Sequence, residues 1–64
     1  MPKDGIIIET LALGNSLKVT AIDTVTGVEA SVVADKRTTE LARQQLAIRK
    51  LEYVLKKHRN PPVN

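Results

Sequence analysis

The most informative absence in this 64-residue chain is cysteine, of which it has none. Without cysteine there is neither a disulfide framework nor a thiolate metal site, the two devices that commonly stabilise very small domains. The single histidine, His58, has no cluster of carboxylates near it in the sequence, so we expect no metal site and no cofactor. Self-association is the remaining means of stabilising such a chain, and this favours a homodimer.

Aromatic residues and long apolar runs are also scarce. Tyr53 is the only aromatic residue, so recognition of nucleic acid by base stacking has little support. No run of about 18 apolar residues is present, which argues against a membrane span. Glu9 and Thr10 interrupt the apolar start that a signal peptide would need. We therefore expect a cytoplasmic protein without membrane contact, and its net charge of +3 permits an acidic partner without requiring one.

Two turn signals divide the first half of the chain into three short segments that favour strands. Gly14-Asn15 is a two-residue hairpin signal with glycine first, as a type II′ turn requires. Setting Leu13 opposite Ser16 makes one face of this ribbon clearly more apolar than the other. The sequence therefore predicts an antiparallel hairpin with one face turned toward a core.

The second turn, between Asp23 and Val28, allows two loop lengths. A three-residue loop would place Glu29 and Ser31 on the apolar face. A four-residue loop over residues 24–27 instead sets Asp23 opposite Val28 and keeps the apolar residues together. Because a one-residue slip moves every side chain to the other face, we choose the four-residue loop and predict a three-stranded antiparallel meander.

The second half of the chain has helical periodicity from Thr39 to about His58. Thr38 is the expected N-cap, and Asn60-Pro61-Pro62 is expected to end the helix. We treat residues 1–64 as a single domain with an ordered core of about 5–59 and a disordered tail at 60–64. The residues that share the broad apolar face of the helix are Leu41, Gln44, Ala47, Ile48, Leu51, Val54 and Leu55.

These segments predict an α+β fold, a three-stranded antiparallel β-meander packed on one C-terminal α-helix (βββα). Small alanine side chains on the contact face let the helix approach the sheet closely. A single helix on one side of so small a sheet makes a marginal monomer. The sheet residues predicted to face the helix are Ile6, Ile8, Leu17, Val19, Ala21, Val28, Ala30 and Val32.

Two apolar surfaces do not fit into this core. One is the outer face of the sheet, where aliphatic and charged residues are mixed. The other is on the helix, where Leu46 and Tyr53 are seven residues apart and point away from the core. Singly exposed apolar residues are normal, and the alternative is a partner-facing surface with a basic rim. The residues predicted to bind a partner are Ile7, Leu11, Ile22, Leu46, Arg49, Lys50 and Tyr53.

The basic side of the helix supports an alternative function, nucleic-acid binding. A charge run on a helix is usually a solvated face, although such a helix can also lie along phosphates. Glu40 and Glu52 interrupt the positive charge, and no helix-turn-helix, zinc-finger or basic-zipper pattern occurs. The residues that this alternative would use are Arg43, Arg49, Lys50, Lys56 and Lys57.

No group of residues in the sequence predicts catalysis. His58 sits beside basic residues without a carboxylate to orient it as a general base. Ser16 and Ser31 lie on predicted strands with no His or Lys placed to activate them. Glu9 and Glu29 are expected on the outer face of the sheet, where they balance Lys18 or face solvent. We therefore predict no catalytic residue, no small-molecule substrate and no enzymatic activity.

Three strings stand out in the chain: GNSLKVTAID at 14–23, TGVE at 26–29 and AIRKLEYVL at 47–55, with Ile8-Glu9 before them. Together they resemble the pattern of a family of small uncharacterised bacterial proteins that is typical of alphaproteobacteria. The resemblance covers about residues 6–57. It implies a bacterial cytoplasmic protein of unknown function and transfers no catalytic residue.

We interpret the chain as a small, non-enzymatic protein–protein interaction module that self-associates, with nucleic-acid binding as the alternative. In this interpretation one face of the sheet holds the helix and the other face is available to a partner. The interpretation depends on the parity of the strands. Val19 and Val32 must lie under the helix, while Lys18 and Glu29 must lie on the other face.

Overall fold

A computed structural model describes residues 5–59, except for the side chains of His58 and Arg59. The strands form one antiparallel sheet in the order β1-β2-β3, and the helix packs on one face of it. The predicted α+β architecture is confirmed, whereas the predicted disordered tail at 60–64 lies outside the described residues. The elements in chain order are β1 (Ile6–Leu13), β2 (Ser16–Asp23), β3 (Glu29–Asp35) and α1 (Glu40–Arg59).

The hairpin between β1 and β2 has the predicted register. Leu13 pairs with Ser16, and the ladder continues without interruption to Ile6. Gly14 has a φ of +59°, whereas no described residue other than glycine has a positive φ. A type II′ turn needs a positive φ only at its first central residue. Glycine tolerates that conformation because it has no Cβ. The order Gly14-Asn15, with glycine first, therefore favours a type II′ turn at this hairpin.

The turn between β2 and β3 has the predicted four-residue loop. The Asp23 N–H donates to the Val28 carbonyl oxygen at 2.8 Å, and the Gly27 N–H donates to the Asp23 carbonyl oxygen at 2.7 Å. The Asp23 carboxylate accepts bonds from the Thr26 hydroxyl at 2.7 Å and the Val25 N–H at 3.3 Å. These bonds, above all the one from Thr26, lower the pKa of Asp23.

The core lies between the sheet and α1 and confirms the predicted strand parity. Val19 is 1% exposed, whereas its neighbour Lys18 is exposed on the other face. Three of the five buried apolar residues are alanines, which brings the helix backbone close to the sheet. The buried residues are Val19, Ala21, Ala30, Ala47 and Leu51, with Ile6, Ile8, Val28, Val32, Ile48, Val54 and Leu55 packed around them.

The prediction that Leu41 is buried is wrong, because its side chain is 66% exposed. A repeat of seven residues drifts by about 20° per step on a straight helix. The fully buried Leu51 marks the centre of the contact, and Leu55 and Ile48 still pack beside it. One step further, at Leu41, the drift has carried the side chain out of the contact. Leu17, also predicted in the core, is half-buried.

The helix starts one residue later than predicted, with Thr39 instead of Thr38 as the N-cap. The Thr39 hydroxyl accepts a 3.2 Å hydrogen bond from the Ala42 N–H, which is the bond that defines an N-cap. The Thr38 N–H donates to the Asp35 carbonyl oxygen at 2.9 Å. Thr38 therefore closes the turn that leaves β3, and its neighbour begins the helix.

Candidate interaction surface

The outer face of the sheet, defined here as the face away from α1, has a polar middle row between two partly aliphatic rows. The Thr20 and Ser31 hydroxyls share a 2.7 Å hydrogen bond at its centre. Thr20 is buried despite its place on this face because β1 and β3 flank it on both sides. The rows across the three strands are Ile7, Ile22, Glu29; then Glu9, Thr20, Ser31; then Leu11, Lys18, Val33.

Large aliphatic side chains on the outer face are exposed. Leu11 is 59% exposed and Val33 is 65% exposed, and Ile7 and Leu13 are exposed by about half. Ile22 lies on the central strand and is half-buried. Grouped aliphatic side chains of this kind mark interaction sites more often than scattered ones do.

An open hollow of about 590 Å³ lies on the outer face, around the polar middle row. Its lining includes both signs of charge, from Glu9, Glu29 and Lys18. Small-molecule sites are usually enclosed and mostly apolar, with a few convergent polar groups. We therefore interpret the hollow as the open space between side chains of the outer face and not as a ligand pocket.

β1 is the strand that its own chain covers least. It has eight residues with the sequence IIIETLAL, of which six are apolar, and none of their side chains is buried. The helix lies over β3 and β2, so that β1 is left at the margin of the contact. Ile6 and Ile8 are half-buried against the core, and the other six side chains of β1 are exposed.

The helix carries a second and smaller apolar patch, formed by Leu46 and Tyr53. Both side chains are exposed. The Lys57 ammonium lies 5.7 Å from the centroid of the Tyr53 ring, at the distance of a cation–π contact. The Lys57 charge covers part of this patch, so the patch offers less free apolar surface than the strand side of the molecule does.

The five basic residues predicted for nucleic-acid binding do not form one free surface. The Lys50 ammonium donates a 2.7 Å hydrogen bond to the Ser31 carbonyl oxygen, and the Arg43 guanidinium donates to the Thr38 carbonyl oxygen. Both groups therefore stabilise the fold, a role that sequence reasoning missed. Arg49 and Lys56 are exposed. Nucleic-acid binding stays a prediction, and Arg49, Lys56 and Lys57 are its best candidates.

Charged groups elsewhere in the described part of the chain form a local ion pair. The Arg37 guanidinium donates to the Asp35 carboxylate at 3.0 and 3.2 Å, which lowers the pKa of Asp35 and raises that of Arg37. Between residues 5 and 59, no three His, Asp or Glu side chains group closely enough to hold a metal ion. The side chain of His58 lies outside the described part.

The sequence matches one known protein family. The model of a domain of unknown function, DUF6898, matches residues 3–58. The chain belongs to the DUF6898 family. The matched range contains all three strands and nearly all of α1. No curated protein and no solved structure matches the chain.

In this DUF6898 domain the predicted partner-binding residues fall on two separate surfaces. Ile7, Leu11 and Ile22 lie on the outer face of the sheet, while Leu46 and Tyr53 lie on the far side of the helix.

The described part of the chain contains no helix with the length and apolar character of a membrane span. DUF6898 membership assigns no activity to the domain.

Proposed function

We propose that this protein is a small, non-enzymatic interaction module that self-associates through the surface centred on β1. The observation that carries the proposal is that β1 is apolar at six of its eight positions and yet has no buried side chain. Ile22 on the neighbouring strand pairs with Ile7 and extends the same surface across the outer face.

A second copy of the chain is the partner that these observations favour. Among the described residues, five apolar side chains are buried, which is a small core for a domain without disulfides. Closed two-fold dimers are the commonest oligomers of soluble proteins. Covering β1 with an identical strand would enlarge the core without any other component. The resemblance to small alphaproteobacterial proteins supports a bacterial, cytoplasmic setting for this assembly.

Sedimentation velocity over a range of concentrations tests the proposal. We expect a dimer of twice the 7.0 kDa chain mass. Leu13→Lys should weaken the dimer at least tenfold, because it places a charge in the apolar surface. Leu46→Lys is a matched control, since Leu13 and Leu46 are 46% and 45% exposed. A monomer at high micromolar concentration would overturn the proposal, and selective loss with Leu46→Lys would move the interface to the helix.

The nucleic-acid alternative needs a separate measurement. A labelled DNA or RNA that binds at low salt and is released at high salt would support it. Binding should then be lost in Arg49→Glu/Lys56→Glu, which changes exposed residues that hold no hydrogen bond in the described structure. Lack of binding at low salt in the unchanged protein would remove the alternative.

A further inference from the structure

The free edge of β1 presents backbone groups that have no partner strand within residues 5–59. The Thr24 N–H donates to the Gly5 carbonyl oxygen at 2.6 Å, so this pair is hydrogen-bonded. Hydrogen-bonded and non-hydrogen-bonded pairs alternate along an antiparallel ladder. The odd-numbered residues of β1 therefore bond to β2. The residues that direct their N–H and C=O groups to the free edge are Ile6, Ile8, Thr10 and Ala12.

The free edge of β3 is protected, in contrast. The hydrogen-bonded pair Asp23 and Val28 fixes the parity of β3, so that Ser31 directs its backbone groups outward. The Lys50 ammonium donates a 2.7 Å hydrogen bond to the Ser31 carbonyl oxygen, which occupies an outward-directed acceptor of this edge. A covered or charged edge is the usual protection of a sheet against further strand pairing.

β1 lacks these protective features. Its ladder with β2 has no bulge, and its sequence contains neither lysine nor proline. Glu9 is the only charged residue of β1, and its side chain lies on the outer face in the same row as Thr20. A long, apolar edge without a bulge is a template for pairing with another strand.

We propose that β1 pairs antiparallel with β1 of a second copy, joining the two sheets into one six-stranded sheet. This inference rests on the proposed self-association and specifies its interface. The two-fold axis runs perpendicular to the sheet, so both helices lie on the same face of it. A symmetric interface requires a self-complementary surface, and β1 against β1 provides one because each strand offers the same outward groups.

The hydrogen-bonding parity and the charge of Glu9 select the register. Outward-directed residues must pair with outward-directed residues, so the axis passes at Ile8, Glu9, Thr10 or Leu11 in the registers that pair at least about half of β1. An axis at Glu9 sets two carboxylates directly opposite, which is unfavourable. An axis at Ile8 pairs only residues 6–10 and an axis at Leu11 only residues 9–13, whereas an axis at Thr10 pairs residues 7–13. Thr10 therefore faces Thr10 of the second copy.

Disulfide trapping tests this register directly, because the natural chain has no cysteine. Two Thr10→Cys residues would be about 5.5 Å apart between Cα atoms, within the range for a disulfide. Ala12→Cys is the matched control on the same exposed edge. Its two copies would be about 14 Å apart along the strands, too far to bridge. Under mild oxidation we expect a covalent dimer with Thr10→Cys and none with Ala12→Cys.

A charge variant separates this interface from the proposed function. Thr10→Lys places two ammonium groups at the axis and should raise the dimer dissociation constant at least tenfold. Val25→Lys adds the same charge in an exposed loop and should leave it unchanged. Circular dichroism of each variant confirms that the fold is retained. A dimer that resists Thr10→Lys and does not trap Thr10→Cys overturns the β1 interface alone, whereas a monomeric natural chain overturns both proposals.

Discussion

The Lys50 ammonium donates a 2.7 Å hydrogen bond to the Ser31 carbonyl oxygen, and this contact ties the middle of α1 to the free edge of β3. The two residues are 19 positions apart in the chain. The contact makes the edges of the sheet different, because the other edge, on β1, lies at the margin of the helix contact. The helix thus protects one side of the sheet and leaves the other open.

Removing the Lys50 ammonium should destabilise the protein. We expect Lys50→Met to lower the free energy of unfolding by about 1 kcal/mol, since it keeps most of the aliphatic stem but loses the hydrogen bond. Lys56→Met, an exposed lysine of the same helix, should change it by less than about 0.5 kcal/mol. Urea unfolding measures both values. Equal effects of the two substitutions would contradict a structural role for the Lys50 contact.

The N-cap can be identified by comparing two adjacent threonines. The Thr39 hydroxyl accepts a hydrogen bond from the Ala42 N–H, so Thr39→Ala should cost about 1 kcal/mol of stability. Thr38→Ala leaves the backbone bonds of Thr38 in place and should cost less than about 0.5 kcal/mol. Urea midpoints of the two variants provide the comparison. A larger loss of stability with Thr38→Ala would contradict Thr39 as the N-cap.

Two leucines of the same helix should respond very differently to truncation. Leu51 is fully buried, so Leu51→Ala should cost about 2–5 kcal/mol and unfold much of the protein at room temperature. Leu41→Ala truncates an exposed side chain and should stay within about 0.5 kcal/mol of the natural protein. Far-ultraviolet circular dichroism and thermal unfolding distinguish the two. A large loss with Leu41→Ala would mean that Leu41 is covered in solution.

Acid should weaken two turns, the one between β2 and β3 and the one that follows β3. The pKa of Asp23 is lowered from 3.8 by the Thr26 hydroxyl, and the pKa of Asp35 is lowered by Arg37. A lowered folded-state pKa gives a contribution that is complete above the unfolded pKa and is lost as the pH falls through the folded value. The urea midpoint should therefore fall as the pH decreases from about 5 to 2.

The control for this pH dependence is a pair of neutral isosteres. Asp23→Asn should flatten the decline, because the residue no longer titrates. Glu52→Gln changes an exposed carboxylate on the helix and should leave the slope as it is. The assignment to Asp23 fails if both variants keep the full slope of the natural protein.

The sheet could be predicted from sequence because its determinants are local. Gly14-Asn15 sets the first turn, and the alternation around Val19 allows only one parity for each strand. The Asp23 side chain then favours the second loop through bonds to residues two and three positions away. Each of these signals lies within a few residues of the structure that it determines.

The start and the placement of the helix were harder to predict. Thr38 and Thr39 are the same residue type, and only the backbone path after Asp35 decides which one caps the helix. The seven-residue repeat through Leu41 ignores the drift of a straight helix. The Lys50 contact depends on where α1 lies across the sheet, and a periodic pattern along one element does not contain that information.

Three alanine methyl groups, those of Ala21, Ala30 and Ala47, lie in the core between the sheet and the helix. Their small size limits which substitutions the domain can accept at these positions. All three side chains are buried where helix and sheet meet. A larger residue at any of them would push the two layers apart and open Val19 and Leu51 to water. Relatives that keep this architecture should therefore accept only glycine, alanine or serine at these three sites, while the solvent side of the helix varies freely.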